Sequence, residues 1–266
     1  MYRGLRVAVV VPAYQEADQL PAVLRAIPDH ADSVVVVDDG SADGTERSVL
    51  DRARDDDRIV LLRHERNLGP GAAVISGYRW ALTRGFDAIA VIDGDGQIDP
   101  SLLPLVLDPI ASGTADYAKG DRLSSADSRR HTPRLRLIGN LLLTALTRRL
   151  SGYAELSDSQ NGFSAISARA LRAFDWDLAH RGYGRPLQTL TWLGRAGFRL
   201  AQVPHPSRYG VGERSKMRLG RDVFVILGLL LRLLCSARER PEAARIIASD
   251  GPPTPAALTA DGAFRP

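Results

Sequence analysis

Residues 34–41 read Val-Val-Val-Val-Asp-Asp-Gly-Ser, four β-branched residues running straight into two carboxylates and a glycine. An unbroken valine run suits a strand covered on both faces, because a strand with one wet face alternates apolar with polar. Residues 7–11, 59–62 and 88–92 have the same character. Between these runs, helix-like stretches occupy residues 19–27, 45–53 and 72–83, each bounded by Gly, Pro, Asp or Asn. Alternating strands and helices predict βαβ units around a mostly parallel sheet, an α/β fold. Such sheets bind ligands beyond the carboxyl ends of their strands, so the residues after each run matter most.

Those residues are polar. The first run leads into Pro12-Ala13-Tyr14-Gln15-Glu16, the second into Asp38-Asp39-Gly40-Ser41 and the fourth into Asp93-Gly94-Asp95-Gly96-Gln97. Asp and Gly also serve turns and helix caps, a role that stays open for each stretch. Asp93 and Asp95, two apart with Gly94 between them, can address one ligand, and their hard oxygens suit Mg²⁺ or Mn²⁺ rather than zinc. Gly69 and Gly71 lack the third glycine of a dinucleotide fingerprint, and no Gly-Lys-Ser/Thr phosphate loop occurs.

The rest of the chain is less regular. A helix is expected from an N-cap at Thr132-Pro133 to Leu150, strands at residues 163–167 and 198–203, and a very apolar helix at Leu219–Cys235. Residues 236–266, rich in Ala, Pro and Gly, read as a poorly ordered tail. Charge divides along the chain: residues 1–119 carry net −7 and residues 120–266 net +11, giving the overall +4. The composition, 44% hydrophobic and 25% charged, is that of a folded domain and excludes collagen-like, coiled-coil and wholly disordered chains. The single cysteine, Cys235, forms no internal disulfide, so a reducing compartment is expected. The apolar run before Pro12 is too short for a signal peptide or a membrane span.

The ordered set VVVPAYQE (9–16), VVVVDDGSADGT (34–45), RNLGPGAAVISGY (66–78) and VIDGDGQ (91–97) resembles the nucleotide-sugar-binding half of glycosyltransferase family 2. Within that family it is most similar to the dolichol-phosphate mannosyltransferase and polyprenyl-phosphate glycosyltransferase group. PRLRLIGN (133–140), SDSQNGFSAIS (157–167) and RYGVGERSKM (208–217) extend the likeness to roughly residues 5–235. The resemblance implies a single GT-A domain over residues 1–235, with a nucleotide-sugar and metal half (1–119) and an acceptor half (120–235) bearing amphipathic helices. It further implies inverting transfer of a sugar from a nucleoside diphosphate, GDP-mannose or a UDP-sugar, to a polyprenyl phosphate. Pro12, Tyr14, Glu16, Asp38 and Asp39 match the positions that hold base and ribose. Asp93 and Asp95 match the pair that binds metal and diphosphate, with Gln97 as a further metal-side ligand. Arg122 matches an arginine at the floor of the active site, Arg136 or Arg134 the acceptor phosphate site, and Arg208, Ser215 and Lys216 a loop that closes over both substrates.

A hydroxyl acceptor needs a general base. Where relatives that use hydroxyls carry an acidic pair at the start of a late helix, residues 181–188 hold no carboxylate, and Arg185 stands there instead. That fits a phosphate monoester acceptor, largely ionised at neutral pH because its second pKa is about 6; Arg185 also allows altered acceptor binding. Asp158 is expected to orient the acceptor, to act as base for a hydroxyl, or only to cap its turn. Arg129, Arg130, Arg134, Arg136, Arg148 and Arg149 accompany leucines on more than one helix face, and Arg221, Arg232, Arg238 and Arg240 flank the apolar helix. The expectation is a cytoplasmic protein bound peripherally to an anionic membrane surface, with the apolar helix either in the lipid or in the core. The arginines come without a nucleic-acid reading motif, which argues against such a partner. Three alternatives remain: a soluble metabolite or natural-product acceptor, a non-catalytic nucleotide-sugar-binding subunit, and a nucleotidyltransferase.

Overall fold

The computed structural model describes residues 1–124, 134–206 and 219–235. Seven strands, β1 (Val7–Ala13), β2 (Ser33–Asp38), β3 (Ile59–Arg63), β4 (Ala88–Val91), β5 (Tyr117–Asp121), β6 (Ser164–Ser167) and β7 (Leu200–Pro204), form one sheet in the order β3-β2-β1-β4-β6-β5-β7. Every neighbouring pair is parallel except those made by β6, which runs antiparallel to β4 and β5. The expected parallel sheet is therefore present, with one reversed strand inside it.

The valine runs are continuous because both sheet faces are covered. Ala8, Val10, Val35, Val37, Ile89, Val91, Tyr117 and Ile166 face one core, under α3 (Pro70–Thr83), α6 (Ala168–Arg172) and α7 (Arg185–Arg195). The alternate residues Val7, Val9, Val11, Val34, Val36, Ala90 and Ala165 face a second core with α1 (Leu20–Ala26), α2 (Thr45–Ala53) and α4 (Leu103–Ala111). Helices α5 (Arg134–Ser151) and α8 (Leu219–Cys235) complete the described α-helices. The α8 helix packs Ile226, Leu229, Leu230 and Leu233 against Leu187 of α7 and against Leu143, Leu146 and Leu150 of α5. The core alternative for this helix is thus realised on one face, while its other side leaves Val225, Leu231 and Leu234 exposed. No helix among the described residues is long and apolar enough to cross a membrane. The expected cap at Thr132-Pro133 and the tail at 236–266 lie outside the described residues.

Register sets the site. Ala13 pairs with Asp38, Asp38 with Arg63, and Val10 with Val91, so the polar ends of β1, β2 and β4 share one edge. Because β6 is reversed, its beginning rather than its end reaches that edge: Ser164 pairs with both Val91 and Lys119. The loop before β6, residues 157–163, thus becomes a wall of the site.

Candidate active site

The loops after β1 and β2 are stitched together. Gln15 N–H donates to Ser41 Oγ (2.9 Å), Glu16 N–H to Thr45 Oγ1 (2.9 Å) and Ala17 N–H to Asp43 Oδ2 (3.1 Å). This clamp holds Gln15 at φ +53°, a left-handed conformation uncommon for a side-chain-bearing residue, and Tyr14 and Glu16, half-buried, flank it. The aspartates beneath are buried. Asp38 is 0% exposed, accepts Ser41 N–H (3.0 Å), and leaves Oδ2 without a hydrogen bond at 3.6 Å from Arg63 Nε. Asp39, 2% exposed, accepts Leu68 N–H (2.9 Å) and Gly69 N–H (2.8 Å) and meets His64 Nδ1 at 2.7 Å. The other ring nitrogen of His64 meets Ser76 Oγ at 2.9 Å, a chain that sequence reading missed. Asp38 and Asp39 therefore direct their carboxylates into the loops and shape the pocket floor from below.

Asp93 and Asp95 stand next to Pro12, where Gly94 N–H donates to Pro12 O (3.2 Å). Asp95 Oδ1 accepts Gln97 N–H (3.1 Å), which curls the turn. No hydrogen bond among the described residues reaches the Asp93 carboxylate. Burial pushes its pKa up to about 6, Asp95 adds to the rise, and Arg185, Arg122 and Lys119 oppose it. Two hard carboxylates, one lacking a donor among the described residues, fit Mg²⁺ or Mn²⁺. No cluster of three His, Cys, Asp or Glu side chains exists among the described residues, so the remaining ligands would be the Gln97 amide, water and phosphate oxygens.

On the far side of Asp93 the chemistry turns basic. Gly162 lies so near that a Cβ there would sit 2.2 Å from Asp93 Oδ2, so any larger residue at 162 would displace the carboxylate. Arg122 grips Asp158 with two nitrogens, Nε to Oδ2 at 2.8 Å and Nη2 to Oδ1 at 3.2 Å, while Asp158 also accepts Gln160 N–H (3.1 Å). Burial alone would raise the Asp158 pKa, but the Arg122 charge and bonds outweigh it and hold the carboxyl below its ordinary value. Asp121 is committed too: Oδ1 accepts Leu123 and Ser124 N–H (2.8 and 3.0 Å), which turns the chain so that Arg122 reaches Asp158.

Several residues of this wall escaped the sequence reading. Lys119, 1% exposed, donates to Asn161 O, and burial pushes its ammonium down to about 7. Asn161 Nδ2 lies 2.6 Å from His205 Nε2, and His205 Nδ1 lies 2.8 Å from Pro206 O. With Nδ1 as donor to that carbonyl, Nε2 accepts from the amide. Gly120 must be small here, since a Cβ would meet His205 Nε2 at 2.7 Å and Asn161 Nδ2 at 2.8 Å. Arg185, by contrast already singled out from the sequence, is 5% exposed at the start of α7. The one signal for Lys119 was its rarity, as one of two lysines in the chain.

The structure thus brings Pro12, Tyr14, Glu16, Asp38, Asp39, Asp93, Asp95 and Gln97 to one edge and pairs Arg122 with Asp158. Arg134 and Arg136 lie in the first turn of α5. Arg208, Ser215 and Lys216 lie outside the described residues.

Known proteins resemble this chain in sequence and in fold. The model of glycosyl transferase family 2 matches residues 8–174. An undecaprenyl-phosphate mannosyltransferase of Micrococcus luteus is 33% identical over 203 residues, 75% of this chain and 82% of the relative. A polyprenol monophosphomannose synthase of Mycolicibacterium smegmatis is 31% identical over 229 residues, covering 83% and 85%. A UDP-N-acetylglucosamine–dolichyl-phosphate N-acetylglucosaminyltransferase of Methanococcus voltae is 27% identical over 239 residues, covering 85% and 94%. Among solved structures, glucosyl-3-phosphoglycerate synthase of Mycobacterium tuberculosis with UDP superposes with a TM-score of 0.67 at 24% identity, covering 86% of this chain and 80% of that one. The reversed β6 inside a parallel sheet, the polar edge it borders and these likenesses lead to one assignment: the chain belongs to glycosyl transferase family 2 and is a glycosyltransferase of GT-A fold.

Proposed function

We propose that the protein transfers a sugar, with inversion, from a nucleoside diphosphate sugar to a polyprenyl phosphate with the help of Mg²⁺ or Mn²⁺. The observation that carries this reading is the state of the carboxylates on the acceptor side. Asp158 is locked by Arg122 and Asp121 by its turn, while the start of α7 offers Arg185 instead of an acid. An acceptor that arrives already ionised, as a phosphate does, needs no base from the protein.

In this reading the loops after β1 and β2 hold base and ribose through Pro12, Tyr14 and Glu16, over a floor kept rigid by Asp38 and Asp39. Asp93, Asp95 and Gln97 hold the cation, which when bound neutralises diphosphate charge as the leaving group departs. Arg122, fixed by Asp158, turns positive charge toward the reacting centre, and Arg134, Arg136, Arg208, Ser215 and Lys216 receive the acceptor phosphate. Positioning and charge supply the catalysis.

The acceptor's lipid part would lie along α5 and α8. Ile138, Leu141 and Leu142 of α5 and Val225, Leu231 and Leu234 of α8 are exposed, and an apolar cavity of about 230 Å³ lies between Leu146, Leu150, Leu230, Leu231, Leu234 and Arg149. With Arg148, Arg149 and Arg232 beside these leucines, the surface suits peripheral contact with an anionic membrane at its cytoplasmic face. The relatives' names, which specify dolichyl, undecaprenyl and polyprenol phosphates, support the same acceptor. The test is incubation with radiolabelled GDP-mannose and UDP-sugars plus a short-chain polyprenyl phosphate, followed by butanol extraction. Label in butanol is expected; label transferred only to water-soluble phosphorylated acceptors would replace the lipid acceptor with a soluble one.

A further inference from the structure

Asn161 precedes Gly162, the residue whose backbone abuts the Asp93 carboxylate, and both polar atoms of its buried side chain are engaged. Its Oδ1 accepts Phe163 N–H across Gly162 (3.0 Å), which turns Nδ2 toward His205 Nε2 at 2.6 Å. Its carbonyl accepts from Lys119 Nζ. The chain is thus tied on both sides of Gly162.

His205 is itself fixed. Its N–H donates to Asp121 O (3.1 Å), its ring stands edge-on to Phe163 with centroids 5.3 Å apart, and Nδ1 lies 2.8 Å from Pro206 O. A carbonyl only accepts, so Nδ1 carries the proton and Nε2 presents a lone pair to the amide. Burial holds the pKa of the ring below its ordinary value, which keeps it neutral at pH 7 and above. Gly120 leaves the slot in which imidazole and amide meet, since a Cβ there would clash with both. The contact therefore fixes a tautomer and an amide orientation, and a glycine makes room for it.

We propose that His205 is a positioning residue for the Asp93 carboxylate, acting through Asn161: the neutral imidazole anchors the amide, and the amide holds Gly162 where it sets the place of Asp93. The inference rests on the reading that Asp93 and Asp95 hold a divalent cation. No hydrogen bond among the described residues joins His205 to Asp93, so its effect passes through the wall. Losing the acceptor at Nε2 strands a buried amide, frees the 161–163 backbone and lets the carboxylate drift. A merely structural histidine would move Tm and leave the metal affinity of the folded protein alone.

The experiment compares wild type, His205→Gln, His205→Asn and Asp95→Ala at pH 8. Glutamine puts an acceptor close to where Nε2 stands, whereas asparagine reaches only as far as Nδ1. Mn²⁺ binding is measured by titration calorimetry. The tautomer is read on wild type by long-range ¹H–¹⁵N correlation of the imidazoles, with His205 assigned by its absence from either variant, so it decides even where one variant does not fold. The expected results are an Nδ1–H tautomer, Mn²⁺ affinity about tenfold or more lower in His205→Asn, and affinity within about threefold of wild type in His205→Gln, the scale on which outer partners of metal ligands act. A His205→Gln protein that binds Mn²⁺ no more tightly than His205→Asn, or an Nε2–H tautomer in wild type, would overturn the proposal. Failure of the underlying reading looks different: Mn²⁺ would then bind neither wild type nor Asp95→Ala, or both equally.

Discussion

The two sides of this site are held by different means. On the side proposed for the donor, carboxylates meet backbone: Asp38, Asp39, Asp43 and Asp95 each accept main-chain N–H groups and fix loops. On the side proposed for the acceptor, charges meet charges: Arg122 grips Asp158, and Lys119 and Arg185 are buried cations that oppose the rise in the Asp93 pKa. Backbone-capping aspartates are a local device and tolerate their surroundings. A buried ion network is a collective device, in which removing one member strands another. The proposed donor side is therefore the modular half of the site and the proposed acceptor side the interdependent one.

Four experiments press on that contrast. The largest effect is expected at the carboxylate pair: Asp95→Ala lowers kcat/KM by about 10³-fold in the extraction assay, in line with lost electrostatic stabilisation of a leaving group, and normal turnover would remove this pair from catalysis. Next is Gly162→Ala, which thrusts a methyl group at Asp93 where the two halves touch. It should cost about 10²-fold in kcat with a small change in Tm, as displaced catalytic geometry does; a loss confined to Tm would make the contact merely structural.

The third concerns pH. Lys119 releases its proton at about 7 in the folded chain because burial disfavours the ammonium, whereas the unfolded chain keeps it to about 10.4. Between those values the unfolded state binds more protons, so wild type gains stability as pH rises, by about 1 kcal/mol per pH unit. In Lys119→Met that gain disappears, and urea titrations at pH 7 and 9.5 on both proteins would reveal it; parallel pH profiles would show that Lys119 stays charged when buried. The smallest effect belongs to the surface. Ile138→Ser with Leu231→Ser should lower cosedimentation with anionic vesicles about threefold to tenfold while leaving Tm within about 2 °C, since both side chains are more than 60% exposed.

The same contrast explains what the sequence disclosed. The runs at β1, β2, β3 and β4 were legible because strands buried on both faces write continuous Val and Ile, and α2 and α8 matched their expected limits. The β5 strand was not legible, because Tyr-Ala-Lys-Gly-Asp is no apolar run; its lysine and aspartate are buried through tertiary partners. The α4 helix hid behind Pro109 in its last turn, which reads as a break. The direction of β6 is absent from local pattern altogether, since so short a Ser-Ala-Ile-Ser segment pairs either way. Asp93 and Asp95 could be singled out from spacing alone, but Asn161, His205 and Lys119 owe their place to strand order. The pairing of Arg122 with Asp158 joins residues 36 apart, a relation that no spacing rule supplies.

Lys119 has one more consequence, for chemical labelling. The chain has two lysines, and with Lys119 sealed in the fold, Lys216 and the terminal amine are the other amino groups. A reagent reaches the sealed amine only when a breathing motion uncovers it. The rate at which an acylating reagent modifies Lys119, followed by peptide mass, thus becomes a clock for opening of the enzyme's interior, and saturating nucleotide sugar should slow it.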